Sequence, residues 1–277
     1  MGKRIVVKIG GSLFDEDLHF LYEDIAALVA AGNQVVLVHG GGPQINAILE
    51  KTGYEPKYIN SASGVQSRLT DETTLDAAIM ALGGIINKKI VAAMITHGIN
   101  AFGFTGVDGS CMVASRKEQI ISVDPVSGKR FVIKNDYSGK IDASLVKGDV
   151  VLAIMNAGLV PVIGALAIDE KGQILNIDGD RAAACVCKAI DGQVFISATD
   201  VPGILKDMES KELIAVVPAV DLDSILDHVG GGMKKKIIAV KEAVSLGIPE
   251  ILITSGLVEG GLSHALDGTA GTRIALD

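Results

Sequence analysis

Apolar runs and amphipathic stretches alternate along most of this chain, and glycines stand where one gives way to the other. Residues 4–9, Arg-Ile-Val-Val-Lys-Ile, are a run of β-formers that stops at Gly10-Gly11. Asp15 to Ala31 carries Leu18, Leu21, Ile25 and Leu28 at helical spacing, which predicts an amphipathic helix halted by Gly32. Gln34-Val-Val-Leu-Val38 is apolar without a break, as in a strand buried on both faces of a parallel sheet. His39-Gly-Gly-Gly42 then leads into a helix from Pro43 to Lys51. Residues 53–70 are polar and turn-rich. Thr70-Asp-Glu-Thr supplies caps and first-turn acids for a long helix reaching His97, in which Gly83-Gly84 predicts a kink or a close backbone approach. A short strand, Ala101 to Thr105, ends at Gly106-Val-Asp-Gly109.

Residues 111–141 break this rhythm and read as antiparallel hairpin strands around the turn signal Asp124-Pro-Val-Ser-Gly128. A helix over about 143–157 and a strand at 160–164 resume it. After a change of organisation near Glu170-Lys-Gly172 come strand Ile174–Ile177, the turn Asp178-Gly-Asp180, a helix from Arg181 to Ile190 and strand Gln193–Ser197. Helices near 219–228 and from Gly232 to Leu246, then strand Glu250–Thr254, complete the series. The pattern predicts an α/β fold: two lobes, 1–171 and 172–277, sharing one continuous and mainly parallel sheet, with ligands at the strand carboxyl ends.

Composition narrows the function classes. With 48% apolar and 21% charged residues among 277, the chain has ample material for a core. The net charge of -8, with no basic run longer than Lys234-Lys-Lys236, argues against a nucleic-acid surface. Cys111, Cys185 and Cys187 cannot all pair and show no metal-ligand spacing, which fits a reducing cytoplasm. No signal-peptide pattern opens the chain. Val150 to Ile168 is uncharged and long enough for a membrane span, yet Asn156, Gly158, Pro161 and Gly164 read better as a helix followed by a buried strand.

The candidate chemistry gathers at strand ends. Lys8 sits at the end of the first strand beside a glycine turn, where a buried ammonium calls for an anion; an edge-strand lysine with a solvated head is the plainer alternative. Gly10-Gly11, Gly40-Gly41-Gly42 and Gly106 to Gly109 are three turns that let main-chain N–H groups approach a phosphate, and together they predict a shared cleft. Neither G-x-x-x-x-G-K-[ST] nor G-x-G-x-x-G is present. Lys234 to Lys236 oppose the dipole of the helix they open unless an anion compensates. Asp180 opens another helix, either as an ordinary cap or, with Asp178, as a partner for the lysines and a Mg²⁺ ion. On the residues alone Arg68 could clamp a carboxylate with its fork, but a surface arginine is the favoured reading. His39 reads as a turn stabiliser, and Cys185 and Cys187 as packing residues.

Six motifs then line up in order: Val7-Lys-Ile-Gly-Gly11, Val38-His-Gly-Gly-Gly42, Ser67-Arg-Leu-Thr-Asp71, Asn176-Ile-Asp-Gly-Asp180, Thr199-Asp-Val-Pro-Gly-Ile204 and Gly231-Gly-Met-Lys-Lys-Lys236. Over nearly its whole length the chain resembles acetylglutamate kinases of the amino-acid kinase superfamily. The resemblance implies a single domain folded as an αβα sandwich, with an acyl-acceptor and dimerisation lobe before about residue 171 and a nucleotide lobe after it. It implies that Lys8 and Lys236 stabilise the transferring phosphoryl group and that Asp180 orients both. Gly10 and Gly11 then lie against the ATP phosphates, with Mg²⁺ as the accompanying cofactor. Gly41, Gly42, Arg68 and Asn176 hold the acidic substrate. Thr199, Asp200, Gly203 and Lys206, with Met233, edge the adenine and ribose site.

Within that superfamily, Val107 and Asn135-Asp-Tyr-Ser-Gly-Lys-Ile141 are similar to the branch that phosphorylates aminoadipate or glutamate attached to an acidic amino-group carrier protein, in lysine or arginine biosynthesis. Arg116, Lys117, Lys129, Arg130, Lys134 and Lys140 are the basic residues placed to attract such a carrier. A carboxylate acceptor is already ionised and needs no general base. The alternatives are free N-acetyl-L-glutamate as substrate, a sister kinase acting on carbamate, aspartate, uridylate or isopentenyl phosphate, and a non-catalytic nucleotide or amino-acid sensor. A homodimer without arginine inhibition is expected, because the first strand begins almost at residue 1.

Overall fold

The computed structural model describes residues 2–60, 66–116, 119–123, 129–206, 212–229 and 231–276. The first half runs β1 (Arg4–Ile9), α1 (His19–Ala30), β2 (Gln34–His39), α2 (Gly42–Lys51), the short pair β3 (Tyr58–Asn60) and β4 (Gln66–Arg68), α3 (Glu72–Ala78), α4 (Ile86–Thr96) and β5 (Ala101–Thr105). Then come β6 (Met112–Arg116), β7 (Ile120–Val123), β8 (Arg130–Ile133), β9 (Ser138–Val146), α5 (Gly148–Asn156), β10 (Val160–Gly164), β11 (Leu166–Ile168) and β12 (Ile174–Ile177). The chain ends with α6 (Gly179–Ala189), β13 (Val194–Thr199), β14 (Val216–Pro218), α7 (Leu222–His228), α8 (Gly231–Ser245), β15 (Glu250–Ser255), α9 (Gly261–Leu266) and β16 (Thr272–Ala275).

Among the described residues one eight-stranded sheet spans both halves, in the order β14-β16-β15-β13-β1-β2-β10-β5. Its central pairs are parallel and only β15–β16 is antiparallel. β1 lies between β2 and β13 and is buried on both faces, so successive residues feed two cores. Ile5, Val7 and Ile9 pack with Leu21 and Ile25 of α1, Ile45 and Leu49 of α2, Ile86 and Ile90 of α4, and Leu262 of α9. Val6 packs on the other side with Ala183 and Val186 of α6, Val240 of α8 and Val151 of α5. This is the expected three-layer αβα sandwich.

Several local expectations change. Gly11–Asp15 forms a 3₁₀ turn, so α1 starts at His19, whose N–H donates to the Asp17 carboxylate. The helix expected from 143 starts at Gly148, because β9 continues to Val146 as part of a closed four-stranded barrel, β11-β12-β9-β6. That barrel joins strands from either side of Gly172, which stands in the β11–β12 turn. β7 and β8 pair antiparallel as the hairpin pattern predicts; their turn, 124–128, falls outside the described residues. Gly83-Gly84 lies in a π-helical segment, Ile79–Ile85, joining α3 to α4. The close backbone approach to this segment falls at Gly164, where an added Cβ would stand 2.5 Å from the Leu82 carbonyl oxygen, while one on Gly41 would collide with the Ile86 and Leu82 side chains. By length and composition the composite helix Glu72–Thr96 could cross a membrane; here Leu75, Ala78, Leu82, Ile90 and Met94 face the interior.

Candidate functional site

Parity along β1 sets the site. Lys8 shares the side of Val6, so its chain leaves the sheet toward α6, at the carboxyl end of the strand. There its ammonium lies 2.9 Å from the Asp180 carboxylate, both side chains being largely withdrawn from water. Asp178, not Asp180, is the cap of α6: its carboxylate accepts the N–H groups of Asp180 and Arg181, both at 3.0 Å. The capping duty falls on the neighbour, and Asp180 in the first turn is left to face Lys8.

Lys236 approaches from α8. A Cβ built on Gly10 would stand 3.7 Å from its Nζ, which puts the ammonium directly beside the turn after β1. Burial pushes Lys236 down to about 8, and the nearby Lys8 charge pushes the same way; Asp180, Asp200 and Asp178 oppose them. Two like charges brought together beside a glycine turn are chemically suited to receive an anion. The second turn closes on the first. Gly11 faces the backbone N of Gly42 so closely that a Cβ would stand 3.0 Å from it, and Gln44 Nε2 donates to the Gly11 carbonyl at 3.1 Å.

Two cavities meet at this point. The larger, about 1170 Å³, runs from Lys8, Gly10, Gly11 and Lys236 past Thr199, Asp200 and Lys206 to an apolar end formed by Ile204, Ile214, Ile225, Val229 and Met233. The second, about 700 Å³, shares Lys8, Gly11, Gly42 and Asp180 and extends past Gly41 to Arg68 and Asn176. Arg68 is half-buried: Nη2 donates to the Gly42 carbonyl at 3.0 Å, Nη1 donates to Asn46, and the guanidinium lies over the Tyr58 ring. Desolvation lowers its pKa from the usual arginine value, with Tyr58 opposing. Asn176 Nδ2 donates to Thr70 Oγ1 at 3.2 Å.

Most of the residues singled out from the sequence therefore converge. Two do not. Gly203 is outside the cavity wall; an added Cβ would strike Thr272 Oγ1 at 2.5 Å, so glycine there lets the loop pack against β16. The Gly106–Gly109 turn is also elsewhere, because it follows edge strand β5, beyond β2 and β10 from β1. Its Gly109 faces a smaller recess with Lys88 and Phe102. Sequence reading missed the apolar end, Ile214, Ile225 and Val229, and missed Ile120 in the second cavity, which Ser138 of the 135–141 motif also lines. Periodicity carries no signal for these, since an isoleucine lining a cavity looks like one in a core. His39 is fully buried, with Nδ1 3.0 Å from the Gly40 carbonyl and Nε2 3.1 Å from Asn87 Nδ2, which makes it a support for the second turn.

Comparison with known proteins agrees with this geometry. The chain is 36% identical over 264 residues to a LysW-aminoadipate/LysW-glutamate kinase of Saccharolobus islandicus, covering 95% of this chain and 96% of that protein. It is 34% identical over 260 residues to the acetylglutamate kinase of Methanopyrus kandleri, covering 92% and 97%. Among solved structures, carbamate kinase of Giardia superposes with a TM-score of 0.69 at 21% identity, over 99% of this chain and 98% of that one. A phosphotransferase is the class of protein that this fold and cleft define. The chain belongs to the amino acid kinase family, whose pattern matches residues 3–255.

Proposed function

We propose that the protein transfers the γ-phosphoryl group of ATP to the side-chain carboxylate of 2-aminoadipate or glutamate whose amino group is attached to an acidic carrier protein, giving an acyl phosphate in lysine or arginine biosynthesis. The observation that carries this reading is the meeting of two cavities at Lys8 and Asp180, one long with an apolar end and one holding Arg68. The adenine ring occupies the apolar end and the phosphates reach Gly10, Gly11 and Lys236. The acceptor carboxylate comes from the Arg68 side.

An ionised carboxylate attacks directly, so the chain needs no base at this point. Lys8 and Lys236 hold the equatorial charge of the transferring group, the glycine N–H groups add to it, and Asp180 keeps Lys8 aimed. The site fits Mg²⁺ as an ion carried on the phosphates. Among the described residues no group of three or more His, Cys, Asp or Glu could hold a metal alone, but Asp180 and Asp200 line the nucleotide cavity and one or two carboxylates with phosphates are the usual Mg²⁺ set. When bound it neutralises phosphate charge.

Carrier attachment is supported by the β7–β8 hairpin. Ile120 of β7 lines the acceptor cavity, while on the other face of the hairpin the paired Ile121 and Val132 are exposed beside Arg130. An apolar centre with a basic rim suits an acidic partner. Exposed Met80, Ile85 and Ile95 on the composite helix and Phe102 on β5 support a homodimer through that layer. Three buried free thiols fit a reducing cytoplasm. The Methanopyrus relative keeps free N-acetyl-L-glutamate as the second reading. A coupled ATPase assay separates them: turnover on carrier-linked aminoadipate or glutamate with weak turnover on free acetylglutamate is expected, and the reverse order would favour the second reading.

A further inference from the structure

Away from the cleft, the first turn of α1 and the end of α4 meet through two histidines. His19 Nδ1 lies 3.2 Å from His97 Nε2. The far nitrogen of each ring already faces an acceptor. His97 Nδ1 donates to the Ala93 carbonyl at 2.7 Å, and His19 Nε2 faces the Glu23 carboxylate at 3.1 Å. A ring that donates through one nitrogen presents a lone pair at the other when it is neutral. With both far nitrogens donating, the two near nitrogens present lone pairs to each other across 3.2 Å. Such an apposition repels unless a cation stands in it, either a shared proton or a metal ion.

The geometry points to a divalent transition-metal site bridging His19 Nδ1 and His97 Nε2. Two nitrogens each about 2.0–2.1 Å from a tetrahedral Zn²⁺ stand about 3.3 Å apart, close to the separation found. The surroundings also match. Metal-bound histidines usually pass their other N–H to a carboxylate or a backbone carbonyl, and here one goes to Glu23 and the other to Ala93. The Tyr22 ring lies 5.5 Å from the His97 ring and, with that of Phe20 beside His19, walls the pair. Since no third His, Cys, Asp or Glu completes a cluster among the described residues, water fills the remaining positions. Imidazole donors select Zn²⁺, Ni²⁺ or Cu²⁺ over Mg²⁺, so the site is distinct in chemistry from an ATP-borne Mg²⁺. Its consequence is mechanical. α1 follows the Gly10-Gly11 turn, and α4 carries Ile86, which packs on Gly41, so the ion ties together the two helices behind the two glycine turns.

Zn²⁺ titrated into chelator-washed protein at pH 8, followed by calorimetry and thermal unfolding, tests this. One ion per chain is expected, with a rise in Tm that grows with Zn²⁺ concentration and is absent with Mg²⁺. His19→Gln and His97→Gln should each abolish both effects, and Glu23→Gln should weaken binding about 10-fold or more. Should a histidine variant fold poorly, the ring proton resonances of the two histidines in the unaltered protein provide the second readout, and both should shift with Zn²⁺. Absence of binding, binding that survives His97→Gln, or a pair that responds only to protons would overturn the site.

Discussion

The Lys8 ammonium and the Asp180 carboxylate stand 2.9 Å apart where β1 and α6 bring the two cavities together. Losing one partner should cost activity and stability by different routes. Lys8→Ala removes a donor aimed at the transferring group and should lower kcat by about 10²-fold or more, with KM for the acidic substrate little changed. Asp180→Asn should cost activity comparably and also destabilise by about 3 kcal/mol, because a buried ammonium loses its counter-charge. Replacing both, Lys8→Met with Asp180→Asn, should recover much of the stability and none of the activity. Steady-state kinetics and urea unfolding of the three variants check this; a doubly substituted chain that still turns over would remove the pair from the chemistry.

Lys236 predicts a pH dependence. Its pKa is lowered to about 8 by burial, with the Lys8 charge assisting. The free enzyme should therefore lose the charged form above about pH 8, and kcat/KM for ATP should fall about tenfold per pH unit beyond it. Bound phosphates favour the ammonium, so the corresponding limb in kcat should lie at higher pH. The stability sign is opposite: the charged form is the disfavoured one in the folded chain, so the ligand-free protein gains from this group as pH rises from about 8 toward the ordinary lysine value. Lys236→Arg should abolish the kinetic limb. A flat kcat/KM profile from pH 7 to 10 would argue that Lys236 is not needed charged.

His39 should make the fold acid-sensitive. Burial holds its pKa near 4, against an ordinary value of 6.5, with the Gly40 hydrogen bond opposing. The unfolded chain binds a proton near pH 6.5 that the folded chain refuses until about 4. Stability from this group is thus complete above pH 6.5 and lost as pH falls toward 4, by up to roughly 3 kcal/mol. Protonation would also set an N–H against the Asn87 amide, which donates to Nε2 and to the Phe104 and Val162 carbonyls. Urea unfolding at pH 7, 5.5 and 4.5 should show this slope, and His39→Leu should flatten it.

Legibility in the sequence followed local physics. β1, β2, β10 and β13 could be read because a central parallel strand is an unbroken apolar run, and Lys8 stood out because it interrupts one. The glycine turns were visible as turns, but which of them share a cleft depends on strand order. Gly40–Gly42 follows β2, next to β1; Gly106–Gly109 follows β5 at the edge. The barrel was hidden because its strands β6, β9, β11 and β12 pair across long separations and across the apparent boundary at Gly172. In the sequence Asp180 could be the helix cap or, together with Asp178, a partner for the lysines. Only the backbone N–H directions of α6 assign the cap to the first and the lysine to the second.

Arg68 gives a prediction that separates binding from chemistry. One nitrogen is engaged by the Gly42 carbonyl and another by Asn46, which fixes the plane of the fork at the cavity wall. A charged hydrogen bond to a substrate carboxylate contributes about 1.5–3 kcal/mol. Arg68→Ala should therefore raise KM for the acidic substrate by about 10- to 100-fold with a smaller change in kcat and none in KM for ATP. Arg68→Lys should rescue little, since an ammonium cannot keep both anchoring contacts and the fork.

The β7–β8 hairpin tests the carrier. If an acidic partner docks on Ile121 and Val132 with Arg130 at the rim, association is steered by charge and held by the apolar centre. KM for the carrier-linked substrate should then rise several-fold between low salt and about 0.5 M, because exposed charges are screened over a Debye length of a few ångströms there. Arg130→Glu should produce a similar rise at low salt and little further change at high salt. Val132→Ala should raise that KM several-fold at either ionic strength, the cost of truncating an apolar anchor that the partner buries. In all three cases kcat at saturation, and the slow turnover of a free N-blocked amino acid, should stay as they were, because Ile121, Arg130 and Val132 line neither cavity. A salt-independent KM for the carrier-linked substrate, with Val132→Ala silent, would move the docking surface elsewhere.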